Sequence, residues 1–308
     1  FLYLVLPDYL IPINLKNIQK QFSFIRTYKT PYTKKGKKMK ELKLFGMPVF
    51  LDEATGKLES ANSDIAWEDY SRKYSEKMFG LLADESYDVK DEPYYDFYKA
   101  IVSNETRSRF SDVNLRYDST VILPGAAGDE FKKTAGHFHL PIPGHTYSFP
   151  ETYQVINGTA LFVMQKVDDY KQDRPMTVKD LILAEVHAGE SVVIPPDYGH
   201  CTINISNETM VFINLVSVNS HNYYDSVKRS HGMSAYVFKT ADGYRVEKNP
   251  AYKFECEPKI MVPQSSEKLG LLKNYPVYTQ FLKNPDTFVY LNNPAEYQDA
   301  FFELLKTK

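Results

Sequence analysis

Gly189-Glu190-Ser191-Val192-Val193-Ile194-Pro195-Pro196-Asp197-Tyr198-Gly199-His200-Cys201-Thr202-Ile203-Asn204 is the stretch on which the reading of the fold turns. The glycine serves a turn, Ser191–Ile194 forms a short apolar strand, the two prolines impose a bend, and His200 follows on the next strand. Such a strand pair delivers one inward-facing histidine. Upstream, His137-Phe138-His139 places two histidines at i, i+2, so on a strand both imidazoles share one face and Phe138 turns into the hydrophobic layer. Glu151 opens the strand that ends at Asn157-Gly158. Three neutral imidazoles and one carboxylate suit Fe(II), Mn(II), Zn(II) or Ni(II), with open positions left for a substrate.

Outward from this stretch, residues from about 114 to 253 carry the signals of strands and turns. Asn157-Gly158 predicts a hairpin between Glu151–Ile156 and Thr159–Val167, and Asp242-Gly243 predicts another between Ala235–Lys239 and Tyr244–Glu247. His187-Ala188-Gly189-Glu190 and Ser206-Asn207-Glu208 mark two further turns. Regular short strands with frequent turns predict an antiparallel barrel or sandwich. The flanks read as helical. Ile65, Tyr70, Tyr74, Met78 and Leu81 fall on or near one helix face, and Pro93 opens a second helix with Tyr94, Phe97, Tyr98 and Ile101 at i, i+3, i+4, i+7. Near the end, Asn293, Pro294 and Glu296 make a capping-box-like start, and Leu269 to Leu282 hints at more helix.

The spacing G(x)5P(x)4H(x)3N from Gly189 to Asn204 is similar to the second sequence motif of the cupins, with Asp197 where that motif usually has glycine. His137-x-His139, Glu151 and Gly158 resemble the first motif, but eleven residues separate His139 from Glu151 where three or four are usual. With that longer spacing, Thr134-x-Gly136-His137-x-His139-(x)11-Glu151-x-Tyr153 resembles the cupin-type glucose-6-phosphate isomerases. Thr120-Val121-Ile122-Leu123-Pro124-Gly125, His200-x-Thr202-x-Asn204 and Asp242-Gly243 leading to Asn249-Pro250 extend the similarity over about residues 117–252.

The resemblance implies a mainly β fold, a cupin-type antiparallel β-barrel (jelly roll) flanked by N- and C-terminal helices. It implies a metal-dependent aldose–ketose isomerase that interconverts glucose 6-phosphate and fructose 6-phosphate, a step of glycolysis and gluconeogenesis. One divalent ion per subunit is implied, Fe(II) foremost and Mn, Ni or Zn as alternatives, on His137, His139, Glu151 and His200. Thr120, Thr134 and Gly136 match positions that hold the sugar phosphate, since hydroxyls and a glycine N–H donate to phosphate oxygens without a close cation. Glu151 and Tyr153 are the implied catalytic residues. Where the family has a phosphate-side tyrosine this chain has Val216, so Tyr223 or Tyr224 is the substitute; His221 resembles a family histidine one residue out of register.

The chemistry is coherent. Isomerisation moves a hydrogen between C1 and C2, and a divalent ion that polarises the carbonyl lowers the barrier. Glu151 is the natural proton carrier, although ligation lowers its basicity, and a metal-assisted hydride shift is the other route. The same donor set would serve a cupin Fe(II) oxygenase, which would consume oxygen, or a non-catalytic sugar-phosphate-binding cupin. Without the resemblance, Thr120 and Thr134 read as β-branched strand residues and Tyr153 reads equally as core packing. His145, His187 and His231 read as structural or surface residues, and Cys201 as part of the barrel wall.

Composition excludes several other classes. Of 308 residues, 43% are hydrophobic and 25% charged, so the chain is neither disordered nor fibrous. A net charge of -2 gives no global field for nucleic acid or an acidic membrane, and a small sugar phosphate is the expected partner. Cys201 and Cys256 are too few for a disulfide framework and point to a reducing, cytoplasmic setting. The 24 Tyr and 19 Phe suit pleated sheet. The first forty residues hold nine Lys/Arg against the single acid Asp8, so residues 1–38 read as a basic extension, translated from upstream of a natural start at Met39. Its apolar opening, broken by Pro7, Asp8 and Pro12, reads as neither signal peptide nor membrane span. The expected organisation is this extension, a helical and strand flank over 39–112, the metal-bearing barrel over 113–257 and a helical segment over 258–308. A homodimer is expected, because cupins pair sheet edges between subunits.

Overall fold

The computed structural model describes residues 39–308, together with a self-paired strand couple at Tyr3–Leu6 and Tyr9–Pro12. The rest of the basic extension lies outside the described residues. Its composition differs from that of the barrel, so deleting residues 1–38 is expected to leave turnover and melting temperature unchanged. A fall in either would make the extension part of the fold.

Two sheets build the barrel. The first runs in the order Ser191–Ile194, Glu151–Asn157, Met210–Ser217, Leu115–Ile122, Pro93–Lys99, Asp69–Tyr74, with every neighbouring pair antiparallel. The second runs Tyr198–Asn204, Thr159–Val167, Thr177–His187, Lys259–Pro263, Leu305–Thr307, and Lys253–Phe254 also pairs with its central strand. Alternate residues of both sheets meet in one apolar cluster: Ile122, Val155 and Phe212 from the first, Phe162, Met164 and Ala184 from the second. This is the jelly roll that the sequence implies. The first sheet runs upstream of residue 113 and the second downstream of residue 257, because strands of the two flanks join them.

The Asn157-Gly158 turn exists, with Gly158 at φ +79°, but it does not close a hairpin. Glu151–Asn157 lies in the first sheet and Thr159–Val167 in the second. The turns at 187–190 and 206–208 likewise carry the chain from one sheet to the other. The physical reason is that positive φ serves any tight reversal, and the jelly roll uses it to cross the core. Asp242-Gly243 does join a paired hairpin, Ala235–Thr240 with Gly243–Lys248.

The N-terminal flank differs from its sequence reading more sharply. The segments read as helices over 63–81 and 93–101 contain the strands Asp69–Tyr74 and Pro93–Lys99. Burial along Pro93–Lys99 alternates, with Tyr94, Asp96 and Tyr98 buried, which is period 2 and not 3.6. Aromatic-rich residues pack on a pleated face when a sheet edge is open to them, and that context outweighs an accidental helical spacing. Helical structure in this flank is limited to short turns at Lys43–Phe45, Ser75–Met78 and Arg107–Ser111.

Short helices do occur at the C-terminal end, at Val277–Lys283 and Gln298–Glu303. Asn293 caps neither; a 3-10 turn at Ala295–Tyr297 precedes the second. The first is capped from the barrel: Gln154 Oε1 accepts the Val277 N–H at 2.9 Å while its Nε2 donates to the Tyr275 carbonyl at 2.9 Å. Tyr278, Phe281, Phe288 and Phe301 then join the cluster of Tyr117, Val121 and Ile213 on the other face of the first sheet. Burying each such ring is worth about 1.5–3 kcal/mol, which holds this segment to the barrel. Among the described residues no helix is long and apolar enough to cross a membrane.

Candidate metal centre and substrate cavity

His200, on the second sheet, and two short antiparallel pairings beside it position three of the four expected ligands. His137 lies opposite His200, with His137 N–H donating to the His200 carbonyl at 3.1 Å and the reverse bond at 2.9 Å. Phe138–His139 then pairs with Asn222–Tyr223. As the i, i+2 spacing predicts, Phe138 turns away from the imidazoles; it is fully buried and stacks on Tyr170 at 4.7 Å. Gly199 is shaped by that ring, since a β-carbon there would lie 2.5 Å from it. Gly199→Ala is therefore expected to cost about 1–3 kcal/mol by overpacking and to displace the neighbouring His200. Thermal melts and metal binding measured side by side check this.

Asp197 stands at φ +67°, in the left-handed region, where the motif usually has glycine. Its Oδ1 accepts the Ser148 N–H at 3.0 Å, and its own N–H donates to Ser148 Oγ at 2.8 Å. These bonds offset the backbone strain and tie the loop before Glu151 to the bend before His200.

Glu151 arrives from the opposite sheet. One donor atom each from His137, His139, Glu151 and His200 falls within 4.8 Å of all the others. His139 Nε2 is 3.3 Å from His137 Nε2 and 3.2 Å from Glu151 Oε2, and His200 Nε2 is 3.4 Å from the same oxygen. His139 Nδ1 sits 2.8 Å from the Phe149 carbonyl, which can only accept, so Nδ1 carries the proton and Nε2 presents its lone pair inward. Burial, and after it the neighbouring His200 and His139, pushes His137 well below the ordinary imidazole range. Burial also lowers His200. Burial would raise Glu151, but its contacts with His139 and His200 outweigh that and hold it well below the usual carboxylate range. Four buried donor atoms this close together need a proton or a cation between them. This nitrogen–oxygen set fits a divalent first-row metal.

A cavity of about 380 Å³ opens onto these donors, and every expected site residue lines it: Thr120, Thr134, Gly136, His137, His139, Glu151, Tyr153 and His200. Tyr153 packs its ring on Phe162 and Phe212 and brings its hydroxyl 3.0 Å from His200 Nε2, so it belongs to the core and lines the cavity at once. Burial first, then Glu151, raises its phenol well above the usual range and keeps it protonated. Thr134 Oγ1 accepts the Thr202 N–H at 3.0 Å, which leaves its own hydrogen to donate elsewhere. Gly136 is at φ +80°, and a β-carbon would meet Met233 Sδ at 2.7 Å, so both backbone and space favour glycine. Of the two candidate tyrosines, Tyr224 lines the cavity and sits 5.3 Å from the His137 ring, while Tyr223 packs against Tyr170 outside it. Asn222, not His221, joins the lining. His187 and His231 lie toward solvent beside Glu185 and Glu85, and Cys201 packs in the wall, where burial pushes its thiol up to about 12.

The sequence reading missed one side of the cavity. Lys73, Tyr95, Lys99 and Arg116 line it, the last paired with Asp118, so lysine cations do share the cavity with Thr120 and Thr134. They come mainly from the two strands that the sequence presents as helices. Read as strands, Lys73 opposite Tyr95 and Lys99 two residues beyond Phe97 share one face, and that parity was the available signal.

Comparison with known proteins agrees with this geometry. The glucose-6-phosphate isomerase (GPI) family model matches residues 71–253, more than half of the chain. The chain belongs to this family. The family match begins inside the strand Asp69–Tyr74, so the cation-bearing strands are part of it. A glucose-6-phosphate isomerase of Thermococcus kodakarensis is 29% identical over 185 residues, covering 59% of this chain and 86% of the relative. One of Sinorhizobium medicae is 24% identical over 194 residues, covering 63% and 80%. Among solved structures, a recombinant oxalate oxidase in complex with glycolate is 18% identical, with a TM-score of 0.27 over 36% of this chain and 46% of that one, a likeness too slight to bear weight.

Proposed function

We propose that the chain interconverts glucose 6-phosphate and fructose 6-phosphate at this cavity. The observation that carries the reading is one cavity lined both by the His137, His139, Glu151, His200 donor set and by Thr120, Thr134 and Gly136. A divalent ion on the donor set, when bound, acts as a Lewis acid on the sugar carbonyl. Thr134 donates its free hydroxyl hydrogen to the sugar phosphate, with Thr120 and the Gly136 backbone beside it, and Lys73 and Lys99 make the cavity favourable to an anion, the charge of Arg116 being met by Asp118. Glu151 carries the proton between C1 and C2. Tyr153, protonated and fixed on Phe162 and Phe212, bounds the reacting carbons and excludes water.

The resident ion is Fe(II) in this reading, one per subunit, with Mn(II), Ni(II) and Zn(II) accepted by the same donors. The working form is a cytoplasmic homodimer, a setting in keeping with unpaired Cys201 and Cys256. Incubation of the metal-loaded chain with fructose 6-phosphate in oxygen-free buffer, followed by carbon NMR, tests the reaction. Glucose 6-phosphate should accumulate to an equilibrium mixture. No conversion without oxygen, together with oxygen uptake in air, would select an oxygenase; binding without conversion would leave a non-catalytic cupin.

A further inference from the structure

Glu151 is not held by the imidazoles alone. Its second oxygen, Oε1, accepts a hydrogen bond from Asn214 Nδ2 at 2.6 Å. The same amide nitrogen lies 3.4 Å from Asp118 Oδ2. Both neighbours are carboxylates, which only accept, so the amide must present its NH2 side to them, one hydrogen to each. Asp118 is fixed in turn: Arg116 Nε reaches its two oxygens at 2.9 and 2.8 Å, and the Ala100 N–H donates to Oδ1 at 2.8 Å. Asp118 is fully buried, and Asn214 and Glu151 are 5% and 4% exposed. Sheet register builds the row, since Asp118 pairs with Asn214, which pairs with Tyr153, two residues from Glu151.

We infer that Asn214 is a positioning residue for the metal centre: it pins Glu151 Oε1 so that only Oε2 faces the imidazoles, and the Asp118–Arg116 pair fixes its amide. The inference rests on the metal-site reading of the four donors and names the residue that sets how the carboxylate is presented to the ion. Without Asn214 the carboxylate is free to rotate, and ordering it becomes a cost of binding the metal. Loss of such an outer partner weakens metal binding by about 10- to 100-fold.

The test is Mn(II) titration of the metal-stripped full chain by calorimetry, a readout independent of any sugar. Asn214→Leu is expected to weaken Mn(II) binding 10- to 100-fold. In a Glu151→Gln background the same replacement is expected to add less than twofold, because its route to the metal has already been removed. Asn214→Ala serves if the leucine variant does not fold. An Asn214 variant that melts lower but binds Mn(II) as tightly as the unaltered chain would make the residue merely structural and overturn the inference, as would effects that multiply in the double variant. An unaltered chain that binds no Mn(II) would instead overturn the metal-site reading itself.

Discussion

His200→Ala is expected to lose bound metal and turnover together, with a fall in turnover of about a thousandfold or more, while the barrel stays folded. His200 supplies one of four donors, and its Nε2 also meets the Tyr153 hydroxyl at 3.0 Å. The alanine removes one hydrogen bond of that buried hydroxyl, a stability cost of about 0.5–1.5 kcal/mol. The apolar cluster of Ile122, Val155, Phe162 and Phe212 does not depend on the site, so the chain should still melt cooperatively. This distinguishes an open metal site in a barrel from a small domain that folds only around its ion. Metal content by elemental analysis and circular dichroism melts on the same sample check both halves. A variant that keeps full metal occupancy would show that His200 is not a ligand.

Thr134→Val keeps the β-branched shape and removes the hydroxyl. Two bonds go at once. The Thr202 N–H loses its acceptor, so the melting temperature should fall even if no substrate ever touches Thr134. The functional effect is separate: one hydrogen bond to a charged phosphate is worth about 1.5–3 kcal/mol, or about ten- to a hundredfold in kcat/KM. Unphosphorylated fructose is the control, because it lacks the group in question. A loss confined to fructose 6-phosphate, with metal content unchanged, places the phosphate at Thr134. Equal losses for both sugars would assign the effect to altered packing.

What could be read from the sequence divides along a physical line. His137, His139 and His200 announce themselves because period 2 fixes their faces and short turns fix their neighbours. The structure brings them together with Glu151 as that spacing implies. Asn157-Gly158 was legible as a turn but not as a sheet crossing, since a local signal says where the chain reverses and not which strand it then meets. The segment Pro93–Lys99 carries apolar residues that fit both periods, and only the open edge beside Leu115–Ile122 decides between them. Misreading that strand hid Lys99 and, through its partner, Lys73. Asp118 and Asn214 are separated by 96 residues in sequence and meet only through register, so no spacing could have linked them.

The account stands most directly on whether isomerisation follows occupancy of the His137, His139, Glu151, His200 site. The measurement is conversion of fructose 6-phosphate by chain stripped of metal and then titrated with Fe(II), with bound ion counted at each step. Turnover should be absent at zero occupancy, rise in proportion to bound ion and level off at one ion per subunit. Full turnover by the stripped chain, or none at one ion per subunit, would contradict it.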